Sequence, residues 1–357
     1  MIYLLSFIVV LGILVLVHEF GHFIAARKLG VGVTKFAIGF GPKLFGVKRG
    51  ETEYLVCAIP LGGYVNLVGD EGDGDAEEVS PELAARSFND KPIWVKISII
   101  AAGPVCNLIF AVLVFWFVFL GGIPALSPQI GQVLPDSPAA RAGLLQGDVI
   151  VRIDGKQIYD WEKLSALIRS GSPDKPLVFT ITRDGAEMTI SVVPEMRESQ
   201  TIFGEKVLEP KIGIASGSEV IRRQTTVWSA FLQGFRETGK LIHLTGMTVV
   251  KLITRVLPSN TLGGPILIAQ IAGEQARQGA SSFMYFLGLL SVNLGILNLL
   301  PIPILDGGQI LFFAIEGALG RKLSTQFRGV AQRVGLALIL MLTALVFYND
   351  IARLLAH

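Results

Sequence analysis

The chain has 357 residues, of which 51% are hydrophobic and 17% charged, and its mean hydropathy is +0.57. These values lie outside the range of soluble globular chains and predict several membrane spans. The formal net charge of +2, without basic runs that interleave with aromatic residues, argues against nucleic-acid binding. With only Cys57 and Cys106, neither a disulfide framework nor a cysteine metal site is expected.

The first predicted element is a membrane-spanning helix from about Ile2 to Lys28. It has no basic start and no small-residue cleavage site, so we expect it to stay attached rather than leave as a signal peptide. Near its end lies the sequence His18-Glu19-Phe20-Gly21-His22. Residues four apart share a helix face, so His18 and His22 can present two imidazoles to one Zn²⁺. Glu19 then points to the open position of the metal, where it can activate water.

An alternative is that the two histidines are core residues whose hydrogen bonds are satisfied by neighbouring helices. That interpretation leaves Glu19 as a carboxylate within an apolar span, which is costly and usually functional. The metal interpretation is therefore preferred.

A β-rich segment is predicted after this helix. Gly39-Phe40-Gly41-Pro42 and Pro60-Leu61-Gly62-Gly63-Tyr64-Val65 bracket an alternating stretch, 52–59, which indicates short strands. The segment is either an ordinary hairpin or a sheet edge at the active site, to which an extended substrate, held in part by Tyr64, adds as a strand. The acidic stretch 70–78 that follows is predicted to be a solvated loop, since it lacks the full spacing of a calcium-binding loop.

A second span is predicted from Ile97 to Leu120, bent near Gly103-Pro104. The next segment has ordinary charge and mixed strand and helix signals. Asp160 is a candidate N-cap for a helix over 161–169, and Asp184-Gly185 predicts a hairpin turn. The run from Ser137 to Ile150 resembles PDZ domains of bacterial envelope proteases, so an α+β PDZ domain is predicted over 121–215. It binds a peptide or acts as a structural gate.

Charged residues interrupt the apolar positions from Thr225 to Leu257, which favours an amphipathic helix at the outer surface over a span. His243 lies in this helix and is expected to be solvated rather than to bind a metal.

The third span is predicted from Phe283 to Leu300, and two prolines, Pro301 and Pro303, break the helix directly after it. With the remaining histidines excluded by position, a carboxylate must complete the metal site. Asp306 and Glu316 both qualify, and the broken helix favours Asp306 because such backbone must line a cavity or pack against protein.

A fourth span of only 15 residues, Val334 to Tyr348, completes the predicted fold class: a polytopic α-helical membrane protein with a membrane-associated β-hairpin region and an inserted α+β PDZ domain. The predicted division is 1–120, 121–215 and 216–357. Lys and Arg residues at the span ends predict cytoplasmic flanks, with both termini and the PDZ domain outside and His18 toward the cytoplasmic side. These residues are Arg27, Lys28, Lys35, Lys91, Lys96, Arg321, Lys322, Arg328 and Arg333.

Two motifs and the PDZ insert together resemble the site-2 protease family of intramembrane zinc metalloproteases, and especially its bacterial members. The motifs are His18-Glu-Phe-Gly-His22 and Asn298-x-x-Pro301-x-Pro303-x-Leu305-Asp306. The resemblance implies zinc ligation by His18, His22 and Asp306, with Glu19 as general base.

The same resemblance implies that Asn298 holds substrate, with the adjoining Pro301 and Pro303. It also implies cleavage of single-pass membrane proteins, such as anti-sigma factors, after a first cut by another protease. This chain shows one PDZ domain where well-known relatives have two, so gating by a PDZ pair does not carry over. An ion transporter and a noncatalytic PDZ scaffold are the competing functions, but no inverted repeat of the motif supports the first.

Overall fold

The structure is a computed structural model that describes residues 2–69, 81–201, 204–254, 256–258 and 261–355. The chain forms two compact units. The first, called here the membrane unit, comprises Met1–Phe119 and Val227–His357, and the second, the inserted unit, comprises Leu120–Thr226. The acidic stretch at 70–78 and His357 lie outside the described residues.

The elements follow one another in the chain as follows. The first part contains α1 (Ile2–Lys28), β1 (Val33–Arg49), β2 (Thr52–Leu67), α2 (Pro81–Ala84) and α3 (Ile93–Leu120). The inserted unit contains β3 (Ile123–Leu126), β4 (Ile130–Val133), α4 (Pro138–Ala142), β5 (Val149–Ile153), β6 (Lys156–Gln157), α5 (Trp161–Arg169), β7 (Leu177–Arg183), β8 (Ala186–Val192), β9 (Glu195–Gln200), β10 (Lys206–Lys211), β11 (Ile214–Ser216) and β12 (Val220–Arg223). The second part of the membrane unit contains α6 (Val227–Ile253), α7 (Pro265–Gln278), α8 (Ala280–Asn298), α9 (Asp306–Leu319) and α10 (Thr325–Leu355).

Within the described part of the chain, α1, α3, α8 and α10 are the helices long and apolar enough to cross a membrane. The predicted fold class is confirmed, but the predicted length of the fourth span is wrong. The apolar run of 15 residues belongs to a helix of 31 residues. The helix extends past its charged residues because these find partners: Arg328 pairs with Glu316 at 2.7 Å and Arg353 with Asp350 at 3.6 Å.

The β-rich region is one folded-back sheet rather than the short strands predicted. Residues 33–38 pair with 63–67, and residues 43–49 pair with 52–57 in a hairpin. Residues 35–38 also pair with 53–56, so they lie between two neighbouring strands. Leu44, Phe45 and Val47 of the hairpin are exposed apolar side chains, as expected for a segment that associates with a membrane.

The core of the membrane unit ties this sheet to the helices that carry the site. Phe23 of α1, Phe36 of β1, Ile99 of α3 and Phe313 of α9 belong to one buried cluster. The rings of Phe23 and Phe36 meet edge to face, with centroids 5.2 Å apart. The sheet is thus packed against α1 just past the second histidine.

The last helix is joined to α7 by a buried carboxylate. Asp350 accepts hydrogen bonds from the backbone N–H groups of Gly264 (2.9 Å), Ile266 (2.9 Å) and Leu267 (3.1 Å). These N–H groups have no partner within α7, and the helix dipole favours a negative charge there. Asp350 therefore fixes the C-terminal end of α10 at the start of α7.

The segment predicted as an amphipathic helix is α6, and His243 lies exposed on it. Gly234 of α6 packs against the backbone of α3, where a Cβ atom would lie 2.8 Å from Trp116 N. Thr245 of α6 donates to Asn293 of α8 at 2.7 Å. The helix is therefore part of the membrane unit and packs on two of its long helices.

The inserted unit is built on a four-stranded sheet in the order β6-β5-β7-β8. Asp184 and Gly185, both at positive φ, form the predicted turn between β7 and β8. Asp160 is the predicted N-cap and accepts from Lys163 N–H at 2.8 Å. Leu164 of α5 and Phe179 and Ile181 of β7 are fully buried in its core.

A buried ion pair fastens β7 to the loop before β5. Arg183 donates from Nε to Asp148 Oδ1 at 2.7 Å and from Nη2 to Oδ2 at 2.8 Å, and Leu145 N–H donates to Oδ2 at 2.8 Å. Burial by itself raises the pKa of Asp148, but the bonds from Arg183 and Leu145 outweigh it and hold that pKa below its usual range.

Replacing Asp148 with Asn is expected to destabilise the inserted unit by about 1–3 kcal/mol at pH 7, because Arg183 loses its ionic partner. Since the folded-state pKa is depressed, the stabilisation is complete above the unfolded value of about 3.9 and is lost as the pH falls through the folded one. The rate at which a protease cuts the full-length protein within 120–226 measures this loss of stability. Asn in place of the exposed Asp174 is the control. Equal rates for the Asp148 and Asp174 variants at pH 7 would contradict the assignment.

Candidate metal centre

Three side chains from distant parts of the chain meet inside the membrane unit. His18 and His22 lie one turn apart on α1, and Asp306 is the first residue of α9. His18 Nε2 lies 3.1 Å from Asp306 Oδ2, His22 Nε2 lies 3.7 Å from the same oxygen, and the two Nε2 atoms are 3.3 Å apart. Among the described residues, these three side chains form the group of His, Cys, Asp or Glu residues that lie close enough together to hold a metal ion.

The spacing of these atoms suits zinc. Bonds of about 2.0–2.1 Å in a tetrahedral site place neighbouring ligand atoms about 3.3 Å apart. The measured separations of 3.1, 3.3 and 3.7 Å bracket that value. Asp306 Oδ2 is also buried without a hydrogen-bond partner in the described part of the chain, which leaves its lone pair directed at the two imidazoles. Such an atom is costly unless a cation binds it, so the residues present fit a divalent ion.

The break between α8 and α9 brings Asp306 to the histidines. Residues 299–305 form a tight turn that folds over Gly307 and Gly308. A Cβ atom on Gly308 would lie 2.6 Å from Pro303 Cα, so only glycine allows this approach. The prolines end one helix and the glycines let the next begin close by, which sets the depth of the carboxylate.

Glu316, the other carboxylate considered as third ligand, lies at the opposite end of α9. Its Oε1 accepts from Arg328 Nη2 and from Leu323 N–H, both at 2.7 Å. The Arg328 guanidinium lies 5.3 Å from the ring centre of Phe313 on α9. Glu316 therefore joins α9 to the start of α10 and does not face the histidines.

Two glycines let α3 pass close to the histidines. A Cβ atom on Gly103 would collide with His22 Nε2 and lie 2.9 Å from His18 Cε1. On the facing helix, a Cβ atom on Gly21 would lie 2.8 Å from Cys106 Cβ. The space that a methyl group would fill at Gly103 is thus the space that the two imidazoles occupy.

The ring nitrogens that face away from Asp306 also have partners on α3. His22 Nδ1 lies 2.9 Å from the carbonyl oxygen of Ile99, and His18 Nδ1 lies 3.2 Å from the side-chain amide of Asn107. Partners of this kind fix the orientation of a metal-binding imidazole.

Glu19 lies beside the β-sheet. A Cβ atom on Gly63 of β2 would be 3.1 Å from Glu19 Cγ, so the strand passes within contact distance of the predicted general base. Tyr64 follows it, and its ring stacks on that of Phe40 with centroids 6.2 Å apart. The predicted substrate-binding strand and the predicted base are therefore adjacent.

The remaining predicted site residues border the metal centre to different degrees. Asn298, the last residue of α8, places its side-chain amide 3.3 Å from His18 Nε2. Pro301 is exposed and Pro303 is half-buried. Pro303 packs against Gly335 of α10, where an added Cβ atom would lie 3.3 Å from the proline ring.

Two further residues of the site, Gly103 and Asn107, are not evident from the sequence. There Gly103 indicates only a bend, and Asn107 is one polar residue in an apolar span. The available signal was an amide within an apolar span, which is costly unless it has a partner. The span alone does not show which helix face meets the histidines.

Two imidazoles and an adjacent glutamate on the spanning helix α1, together with a carboxylate at the start of α9, are the side chains of a zinc metalloprotease of the membrane-embedded kind. The chain belongs to peptidase family M50, whose model matches residues 6–342. It is a site-2-type zinc metalloprotease.

Relatives align with nearly the whole chain. A putative zinc metalloprotease of Rhizobium meliloti (strain 1021) is 37% identical over 362 residues, covering 97% of this chain and 95% of the relative. The regulator of sigma-E protease RseP of Escherichia coli (strain K12) is 33% identical over 450 residues, covering 98% of each. A PDZ domain of an SdrC-like protein from Listeria monocytogenes covers 25% of this chain and 84% of that chain, with 22% identity and a TM-score of 0.21.

Proposed function

We propose that this protein is an endopeptidase that cleaves the transmembrane segments of single-pass membrane proteins. His18, His22 and Asp306 hold the zinc ion, and Glu19 is the general base. The convergence of these ligands from α1 and α9 within one membrane unit supports the proposal most strongly. The family and the printed names of the relatives support a zinc protease.

Each residue has a chemical task. Zinc supplies Lewis acidity, which makes water acidic and the scissile carbonyl electrophilic. Glu19 takes the proton from the attacking water and returns it to the leaving amine, so no covalent acyl-enzyme is required. Asn298, whose amide lies 3.3 Å from His18 Nε2, donates a hydrogen bond to the substrate backbone beside the reacting carbonyl.

The sheet edge next to Glu19 receives the substrate in extended form. Residues 63–65 pair with 36–38 on one side and with no second strand among the described residues. A helix hides its backbone in its own hydrogen bonds, so a spanning segment must unwind before it is cut. Strand addition at 63–65 satisfies the backbone groups that unwinding exposes. Tyr64 and the turn containing Pro301 and Pro303 flank this path.

We place the enzyme in the bacterial inner membrane, with the PDZ domain outside and the metal centre toward the cytoplasm. The basic residues at the span ends support that orientation. The name of the sigma-E regulator suggests, for this chain, a substrate of the anti-sigma factor type. The PDZ domain takes a peptide in the groove of about 410 Å³ between α5 and residues 212–214, or restricts access to the site.

The proposal is tested with full-length protein in lipid vesicles that contain one of two single-pass substrates. One substrate has glycines at the centre of its span, and the other has alanines there. The glycine substrate should be cut within its span, and about tenfold faster, because each glycine lowers the cost of unwinding by about 1 kcal/mol. A zinc chelator should stop the reaction, and added zinc should restore it.

Fragment masses identify the cut position. Cleavage that persists without zinc, or that falls only outside the span, would contradict the proposal. Ion flux without any cleavage would point to a transporter, and zinc-free protein that binds peptide without cutting it would point to a scaffold.

A further inference from the structure

We infer that Asn107 is a positioning residue for the metal centre: its side-chain carbonyl accepts the Nδ1 proton of His18 and leaves Nε2 free to bind zinc. The inference rests on the proposed ligand set. It begins from a polar side chain on α3 that is 0% exposed and lies 3.2 Å from His18 Nδ1.

The two histidines need the same arrangement. A neutral imidazole carries one proton, and the nitrogen that binds a metal cannot be the one that holds it. Nε2 of each ring faces Asp306, so the proton must sit on Nδ1. For His22 the carbonyl oxygen of Ile99 accepts that proton at 2.9 Å. For His18 the group in the equivalent place is Asn107.

The carboxamide of Asn107 offers both an acceptor and a donor, and its two ends have the same shape. With Nδ2 toward His18, the amide would donate to Nδ1 and the ring proton would move to Nε2, which blocks the metal. In that arrangement Oδ1 is buried without a partner. That is the orientation in the structure, where Nδ2 lies 3.2 Å from His18 Nδ1. Turning the amide by 180° gives Oδ1 the Nδ1 proton to accept and meets the requirement of the metal. In the zinc-bound protein, Oδ1 therefore faces His18.

The backbone of Asn107 is held at the height this contact requires. Ser291 on α8, which is fully buried, donates to the carbonyl oxygen of Asn107 at 2.8 Å. One turn away, a Cβ atom on Gly295 of α8 would lie 3.1 Å from Pro104 O, so the two helices are in close contact. The amide thus approaches His18 from a braced helix.

Zinc affinity of the detergent-purified full chain, measured by competition with a chelator, tests this role. Leu at position 107 keeps the volume but removes the acceptor, and Asn107→Leu should weaken zinc binding by about 10- to 100-fold. Asp supplies an acceptor and no donor, so Asn107→Asp should bind zinc within tenfold of the wild type or more tightly. Asn293→Leu on α8, whose amide faces Thr245, is the matched control and should keep wild-type affinity.

Asp306→Ala separates the two levels of the argument. Wild-type zinc affinity in Asp306→Ala would refute the proposed ligand set. If only the role of Asn107 is wrong, Asp306→Ala should still fail to bind zinc. A weakening of less than tenfold in Asn107→Leu overturns the role of Asn107, and so does a loss in Asn107→Asp greater than tenfold. If the melting temperature of the metal-free protein shows that Asn107→Leu does not fold, Asn107→Asp decides by the same threshold.

Discussion

Replacing Glu19 with Gln is expected to reduce cleavage of a membrane-embedded substrate by about 10²- to 10⁴-fold while zinc remains bound. Gln keeps the shape of the side chain but cannot accept the proton of the attacking water. The proposed ligands His18, His22 and Asp306 are unchanged, so the metal content should equal that of the wild type. Cleavage rates in vesicles and metal content of the same preparation check both parts.

Glu274→Gln is the matched control, since Glu274 is an exposed glutamate of α7 in the membrane unit. It should cleave at the wild-type rate. A Glu19→Gln variant that retains more than a tenth of the activity would remove Glu19 from the role of base. Loss of zinc from that variant would instead make Glu19 part of the metal centre.

Gly103→Ala is expected to lose zinc and activity together. Its methyl group would lie 2.6 Å from His22 Cε1 and 2.9 Å from His18 Cε1, so the imidazoles must turn away or α3 must move outward. Either movement separates Nε2 from Asp306, and we expect zinc affinity to fall at least about 100-fold, the upper end of effects transmitted to a metal through its surroundings. Chelator competition measures the affinity.

Gly12→Ala gives the comparison, because Gly12 lies on the same helix as the histidines and its added methyl group meets no described atom within 4 Å beyond its chain neighbours and the backbone of its own helix. It should keep zinc and gain up to about 1 kcal/mol from better helix propensity. If Gly103→Ala binds zinc as tightly as Gly12→Ala, the close passage of α3 does not shape the centre.

Much of the fold could be predicted because its signals are local. Apolar runs mark α1, α3 and α8, and Asp184-Gly185 marks the hairpin of the inserted unit. The length of α10 could not be predicted in this way, because its charged ends are accommodated by groups that only the folded chain brings near. Glu316 of α9 pairs with Arg328, and the N–H groups at the start of α7 bind Asp350. For the same reason, the sequence does not predict the full extent of the sheet after α1. Residues 35–38 have two strand partners, and the alternation of apolar and polar residues does not show which strands pair.

The residues of the candidate site also divide into those predicted from local spacing and those that depend on contacts between helices. His18, Glu19 and His22 are neighbours in one turn of helix, so their spacing suffices to group them. Asp306 needed the resemblance, since the residues alone left Glu316 open. Gly103 and Asn107 depend on how α3 crosses α1, a relation between helices that no spacing within one helix contains.

The proposed metal centre draws its ligands from distant parts of the polypeptide: two imidazoles from α1 and a carboxylate from α9. During synthesis, the first helix enters the bilayer with both imidazoles long before the ribosome reaches the codon for Asp306. A growing or prematurely terminated chain therefore has no complete zinc site and cannot hydrolyse its neighbours in the membrane. With the proposed ligand set, proteolytic competence begins only when α9 has been made and has docked.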